Sequence, residues 1–253
     1  MSGLLAGRVV LVSGGTSGVG AAVARTARRE GASVAVTGRR REHGEKVAAD
    51  LGALFVPCDV ADVGACRAAV ATVVAEFGRV DGLVNAAGLV DRGSLLDTTP
   101  ELFDAHIAIN LRGPFFLMQA AVADMIRRGE PGTIVNIGSE SARGGAPDLS
   151  PYSAAKGGLA TLTRNAAHAH RFDRIRVNQL DIGWTDTEGE DVVQRRHGAG
   201  EDWRARAGAG LPAGRLAAPE DAAEMVVLLL SDRSGVVTGS VLDWDQQVPG
   251  AHD

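Results

Sequence analysis

The chain has a single tyrosine, Tyr152, and one of its two lysines, Lys156, follows four residues later near the start of a helical pattern. Residues i and i+4 share one face of a helix, so this spacing sets an ammonium beside a phenol. A phenol with a reference pKa of about 10 is a poor acid–base catalyst at neutral pH, and a neighbouring cation favours the phenolate and lowers that value. The pair is therefore a candidate proton donor and acceptor with its own tuning charge. Thirteen residues before Tyr152, the apolar run Thr133–Ile137 ends in Gly138 and Ser139. In an open α/β sheet ligands gather beyond the carboxyl ends of the strands, which puts the Ser139 hydroxyl where it can hydrogen-bond a reacting oxygen. Ser141 and Ser150 compete for that role, and a serine at a strand end also serves simply as a turn or cap residue.

A second site type lies at the other end of the sequence. The first apolar strand runs directly into Ser13-Gly14-Gly15-Thr16-Ser17-Gly18-Val19-Gly20, and a helical pattern begins inside that run. Glycines there let the backbone turn sharply and approach a pyrophosphate, while the helix N-terminus supplies unpaired N–H groups and partial positive charge. Gly14, Thr16, Ser17, Gly18, Val19 and Gly20 are the residues expected to cradle it. A glycine-rich turn is a weak sign by itself in a chain with 33 glycines, and its spacing, Gly-x-x-x-Gly-x-Gly, departs from the common Gly-x-Gly-x-x-Gly.

The end of the second strand decides which dinucleotide fits, because an acid there binds a ribose 2′-hydroxyl and a base binds a 2′-phosphate. The residues are Gly38-Arg39-Arg40-Arg41, with no acid between Glu30 and Glu42. Positive charge at a helix start opposes the helix dipole, and a bound anion would offset that cost. The arginines point to NADP, with NAD left open if they are only solvated surface charge.

These residues need a scaffold that collects strand ends. Apolar β-branched runs at Arg8–Ser13, Ser33–Thr37, Leu54–Pro57, Gly82–Asn85, Gly132–Gly138, Arg176–Leu180 and Val241–Asp243 read as strands. Between them Gly18–Glu30, Arg40–Leu51, Val63–Phe77, Pro100–Arg128 with an interruption at Gly113-Pro114, Pro151–Arg171 and Pro219–Ser231 read as helices. The alternation predicts an α/β fold: a doubly wound (Rossmann) parallel sheet of about seven strands with helices on both faces. An eight-unit barrel would need more even spacing. The 253 residues are read as one domain, 1–253, with an irregular excursion at about 183–214 of the kind that often forms a lid.

Composition narrows the class further. With 45% hydrophobic residues, 23% charged residues and a net charge of −5, the chain has material for a large core and lacks the basic surface of an electrostatic nucleic-acid or membrane binder. Cys58 and Cys66 read as a strand end and a helix rather than a metal knuckle, so no metal site is expected. No basic leader precedes a sustained apolar stretch, and the expected location is cytoplasmic.

Taken together, the motifs resemble the short-chain dehydrogenase/reductase family over almost the whole chain. The glycine spacing is that family's cofactor signature, with Ser13 where a threonine is usual. Asp59-Val60 looks like the pair that holds adenine, and Asn85-Ala86-Ala87-Gly88 looks like the motif that stabilises the central sheet at the cofactor, with Ala86 replacing an asparagine. Asn110 falls where the family places its structural and proton-relay asparagine, and Ser139, Tyr152 and Lys156 match the catalytic set. After the sixth strand the family has Pro-Gly, three residues and Thr; Gly183, Thr185 and Thr187 lie in the matching segment, but Ile182 stands where proline is usual. The resemblance implies hydride transfer between a nicotinamide and a carbonyl or secondary alcohol. In it Tyr152 moves the proton, Lys156 tunes Tyr152 and holds the nicotinamide ribose, Ser139 orients the substrate oxygen, and Arg39 pairs with a 2′-phosphate. It also implies a homotetramer joined through the helices Pro114–Arg128 and Pro151–Arg171.

The substrate is read as small and polar: a sugar, polyol or ketone. Glu140, Ser141, Asp91 and Arg92 suggest a polar pocket, as do Asp186, Glu188, Glu190 and Asp191 of the excursion, although those acids would also suit the first turn of a helix. Trp184 is expected to border the pocket and Trp203 to pack a helix. The competing functional class is a nucleotide-binding regulator without turnover, which would be expected to lose Tyr152 or Lys156.

Overall fold

The computed structural model describes residues 3–248. Seven parallel strands form one sheet in the order β3-β2-β1-β4-β5-β6-β7. They are β1 (Val9–Ser13), β2 (Ser33–Gly38), β3 (Leu54–Pro57), β4 (Gly82–Asn85), β5 (Gly132–Ser139), β6 (Ile175–Ile182) and β7 (Val241–Trp244). The helices are α1 (Gly18–Arg29), α2 (Arg41–Leu51), α3 (Val63–Phe77), α4 (Pro100–Ile107), α5 (Gly113–Arg128), α6 (Ser150–Ala169), α7 (Glu188–Arg196), α8 (Trp203–Ala209) and α9 (Pro219–Leu230). This is the doubly wound sheet expected, and the strand order reverses between β1 and β4, where such sheets open a crevice.

The strands are largely apolar because both faces are covered, with buried polar side chains concentrated on β5 and β6. In β1, Val10 and Val12 enter a cluster with Val19 and Val23 of α1 and Val226 and Val227 of α9. Val9 and Leu11 point the other way, into a cluster with Val70 and Val73 of α3 and Leu117 and Met125 of α5. Period-two alternation thus divides one strand between two cores. Caps fix where several helices begin. Asp62 accepts from the Gly64 and Ala65 amides at α3, Thr99 accepts from Leu102 ahead of Pro100 at α4, and Asp221 reaches back to the Ala218 amide at α9.

Two expectations need correction. The interruption at Gly113-Pro114 is not a break: α4 passes into α5 through a π-helical turn at Ala108–Arg112, one turn earlier. Pro114 removes one backbone donor, and the ladder widens so that the Gly113 amide reaches the Ala108 carbonyl. Gly113 is there for another reason, since a Cβ would stand 2.5 Å from the Val60 carbonyl oxygen. Second, β6 runs to Ile182, past its expected end at Leu180; without proline the strand keeps pairing, Ile182 opposite Ser139 on one side and Trp244 on the other. The excursion at 183–214 contains two short helices, α7 and α8, as the acids of its first part suggested. Cys58 and Cys66 are free and buried. No group of three or more His, Cys, Asp or Glu residues suited to a metal ion occurs among the described residues, and no helix among them is long and apolar enough to cross a membrane.

Candidate active site

A cavity of about 860 Å³ opens over the carboxyl ends of the central strands. Its first wall is the turn from β1 to α1, where Gly14, Thr16, Ser17, Gly18, Val19 and Gly20 all line it. Glycine is required by volume: a Cβ on Gly20 would stand 2.2 Å from the Gly14 carbonyl oxygen, and one on Gly14 would stand 2.6 Å from the Ala87 backbone. Gly14 also has a positive φ of 72°. Such a bare, turned backbone at the start of α1 fits a dinucleotide pyrophosphate. Arg39 and Arg40 line the same end, exposed and free of ion pairs among the described residues, while Arg41 is paired with Glu45. Asp59, Val60, Ala87 and Gly88 complete this half.

Asn85 and Asn110 stand behind the wall rather than in it. Asn85, in β4, donates to Asn136 Oδ1 at 2.8 Å and ties β4 to β5. Asn110 lies in the π-helical turn, where its Oδ1 accepts from the Leu89 amide and its Nδ2 donates to the Leu89 carbonyl, so one side chain clamps the loop after β4. The same Nδ2 meets Nδ1 of His106 at 3.1 Å, and His106 Nε2 meets the Asp91 carbonyl at 3.0 Å. Burial holds His106 below its ordinary pKa, consistent with a neutral ring that accepts at Nδ1 and donates at Nε2. That ring packs edge-on to Tyr152, centroids 6.0 Å apart. Sequence reasoning missed His106.

The other half of the cavity brings together Ser139 from the end of β5 and Tyr152 and Lys156 from the first turns of α6. Lys156 Nζ lies 5.7 Å from the Tyr152 ring centre and donates to the Ile137 carbonyl at 2.7 Å. The Ser139 hydroxyl accepts from the Ser141 amide, whereas the half-buried Ser150 donates to the Pro147 carbonyl outside the cavity. Burial draws the Lys156 ammonium down to about 8, with Asp181 opposing. Burial also pushes the Tyr152 phenol up to about 12; Ser139 opposes this, and Glu190, Asp181 and Glu140 add to it. The sequence suggested a lowered phenol, but in this structure desolvation and three carboxylates raise it against the Ser139 hydrogen bond.

The last wall comes from the segment after β6. Gly183, Trp184, Thr185 and Thr187 line the cavity; Thr185 is buried against the Gly183 carbonyl, and Thr187 caps α7. A Cβ on Gly18 would come within 3.3 Å of Thr187 Cγ2, so this segment closes against the glycine turn. Of its four acids, Asp186 and Asp191 are neutralised by Arg204 and Glu188 is exposed. Glu190 alone lines the cavity, its Oε1 taking hydrogen bonds from Trp184 Nε1 at 2.9 Å and Gln194 Nε2 at 2.7 Å. Trp184 stacks on buried Trp203, centroids 6.1 Å apart.

A doubly wound sheet with a glycine turn at one end of a crevice and a serine, a tyrosine and a lysine at the other defines a nucleotide-dependent oxidoreductase class. Comparison with known proteins gives the family. The profile described as enoyl-(acyl carrier protein) reductase, of the short-chain dehydrogenase/reductase group, matches residues 14–246. A 2-(S)-hydroxypropyl-CoM dehydrogenase of Xanthobacter autotrophicus is 36% identical over 97% of this chain and 98% of its own. An L-rhamnose 1-dehydrogenase (NAD(P)(+)) of a Sphingomonas species is 35% identical over 94% of this chain and 95% of its own. A solved short-chain dehydrogenase/reductase family protein superposes with a TM-score of 0.84 at 40% identity, covering 96% of this chain and 97% of that one. The chain belongs to the short-chain dehydrogenase/reductase family and is an NAD(P)-dependent oxidoreductase.

Proposed function

We propose that the protein is an NADP-dependent dehydrogenase that interconverts a secondary alcohol and a carbonyl on a small, uncharged, hydroxyl-bearing substrate such as a sugar or polyol. The observation that carries this reading is one continuous cavity with the glycine turn and two unpaired arginines at one end and Ser139, Tyr152 and Lys156 at the other. The nicotinamide supplies or takes the hydride at its C4. Ser139 orients the substrate oxygen, and Tyr152 gives that oxygen a proton in reduction or takes one in oxidation. Lys156 holds the ribose hydroxyls of the cofactor, and Asn110 shapes the site by holding the loop at Leu89. Arg39 recognises the 2′-phosphate, as a guanidinium fork matches phosphate oxygens.

The charge of the far end supports an uncharged substrate. Glu140 and Glu190 face the cavity there, and its arginine, Arg92, is already paired with Asp148. A substrate carboxylate or phosphate would meet like charge, whereas a hydroxyl can donate to Glu190. The similarity to an L-rhamnose 1-dehydrogenase agrees with this class. A homotetramer through α5 and α6 suits the exposed Phe115 and Ile126 on α5, and two free thiols suit a reducing, cytoplasmic location.

The test is the rate of NADPH oxidation and NADP reduction over sugars, polyols, ketones and hydroxy acids, with Tyr152→Phe alongside. Turnover on neutral polyols falling by about 10²–10⁴ in the variant is the expected result. Cofactor binding with no turnover on any of them would favour the regulator. For the cofactor, Arg39→Ala is expected to weaken NADP by about tenfold or more and leave NAD unchanged, since a charge-assisted hydrogen bond contributes roughly 1.5–3 kcal/mol; equal effects on both would remove the NADP assignment.

A further inference from the structure

The innermost carboxylate of the reacting end belongs to none of the roles above. Asp181 lies on β6, 2% exposed, directly opposite Gly138 in the sheet register. Its Oδ1 accepts from the Ser139 backbone amide at 3.1 Å and from Gln179 Nε2 at 2.7 Å. Gln179 Oε1 in turn accepts from Thr163, which is bonded by Asn136, which accepts from Asn85. A chain of buried polar side chains thus runs from β4 across β5 and α6 to β6, and it ends on the amide of Ser139.

Room for Asp181 is made by its neighbour. A Cβ on Gly138 would stand 1.8 Å from Asp181 Oδ1 and 2.5 Å from Gln179 Nε2. Any other residue at 138 would displace the carboxylate. Burying a carboxylate is expensive unless hydrogen bonds and opposite charge compensate. Burial pushes the Asp181 carboxyl up from its ordinary range, and the bonds from Gln179 and Ser139 and the Lys156 ammonium oppose that; Lys156 is itself anchored on the carbonyl of Ile137, two residues from the amide that Asp181 holds.

We propose that Asp181 is a positioning residue for the reacting group: it fixes Ser139 through the serine's own backbone amide and sets a buried carboxylate beside the strand end on which Lys156 is anchored. The proposal rests on the dehydrogenase reading for its meaning in turnover, but its electrostatic part is measurable without turnover. The other charged groups around Asp181 are Asp243 on β7, which Arg143 pairs, and Glu140, Tyr152 and Glu190 around the phenol. Asp243 stays paired in both forms of the experiment, so the difference reports Asp181.

Asp181→Asn keeps an acceptor oxygen for the two donors and removes only the charge. NADP affinity, read by tryptophan fluorescence between about pH 6 and pH 9.5, is expected to fall as Lys156 loses its proton, and in Asp181→Asn that fall should come at lower pH by about half a unit or more. The alkaline limb of kcat/KM on a turned-over substrate should move the same way. Asp181→Ala, which also removes the acceptor, should in addition lower kcat at every pH. If both limbs of Asp181→Asn coincide with those of the parent while its melting temperature is unchanged, the proposal is overturned. A protein with no turnover but a shifted binding profile would sink the dehydrogenase reading and leave the Asp181–Lys156 coupling standing.

Discussion

The two ends of the cavity are built from different materials. The phosphate end is backbone: one run of residues, 13–20, whose glycines leave no space for side chains, with Arg39 and Arg40 added at the rim. The reacting end is side chain, contributed by β5, α6, β6 and α7, and its character is set by buried or half-buried charge on Lys156, Asp181, Glu140 and Glu190. The first end is constrained by volume and the second by electrostatics. A family can therefore keep one cofactor cradle and change substrates through a handful of charged positions on α7 and its neighbours.

That contrast can be broken in order of expected effect. Gly20→Val should abolish cofactor binding or folding outright, because even a Cβ would stand 2.2 Å from the Gly14 carbonyl oxygen; measurable NADP binding with near-parent affinity would show that the turn yields more than its geometry implies. Glu190→Gln keeps its bonds to Trp184 and Gln194 but loses the charge, and should raise KM for neutral polyols by about tenfold while improving hydroxy acids, a hydrogen bond to a charged group being worth roughly 1.5–3 kcal/mol. Steady-state kinetics on both classes decides it, and a parallel change in the two would point to structure rather than charge.

Two smaller effects sharpen the same point. Because the chain has a single tyrosine, ultraviolet titration reports Tyr152 alone. No phenolate absorbance should appear at pH 10, where an unperturbed tyrosine is half ionised, since the phenol is pushed up to about 12. The smallest effect belongs to Arg204→Ala on α8, which frees Asp186 and leaves Asp191 paired with Arg195 alone. It should cost about 1 kcal/mol or less in thermal stability, the usual worth of such pairs.

The phosphate end was legible in the sequence because its chemistry is local. A strand, a glycine run and a helix start are contiguous, and each glycine's reason can be argued from chain geometry alone. Tyr152 and Lys156 were legible for the same reason, being one helical turn apart. The sheet and its helices followed from alternating apolar periods, with errors where a backbone detail had a tertiary cause: Pro114 is absorbed by a π-helical turn, and β6 lengthens because Ile182 can pair. The direction of the Tyr152 shift was misjudged because burial and three carboxylates from separate elements decide it. His106 and Asp181 were invisible as single residues. One signal for Asp181 was present, since Gln179 and Asp181 are polar at i and i+2 in a strand covered on both faces, which puts both on one buried face.

The pairing of Gly138 with Asp181 also makes two strands answer to one another. A Cβ at position 138 would overlap Asp181 Oδ1 at 1.8 Å, so a side chain there is accommodated only if the carboxylate turns away from the Ser139 amide. The grip on Ser139 is thus held in the empty space beside a neighbouring residue, and it can be loosened from position 138 without touching the acid itself.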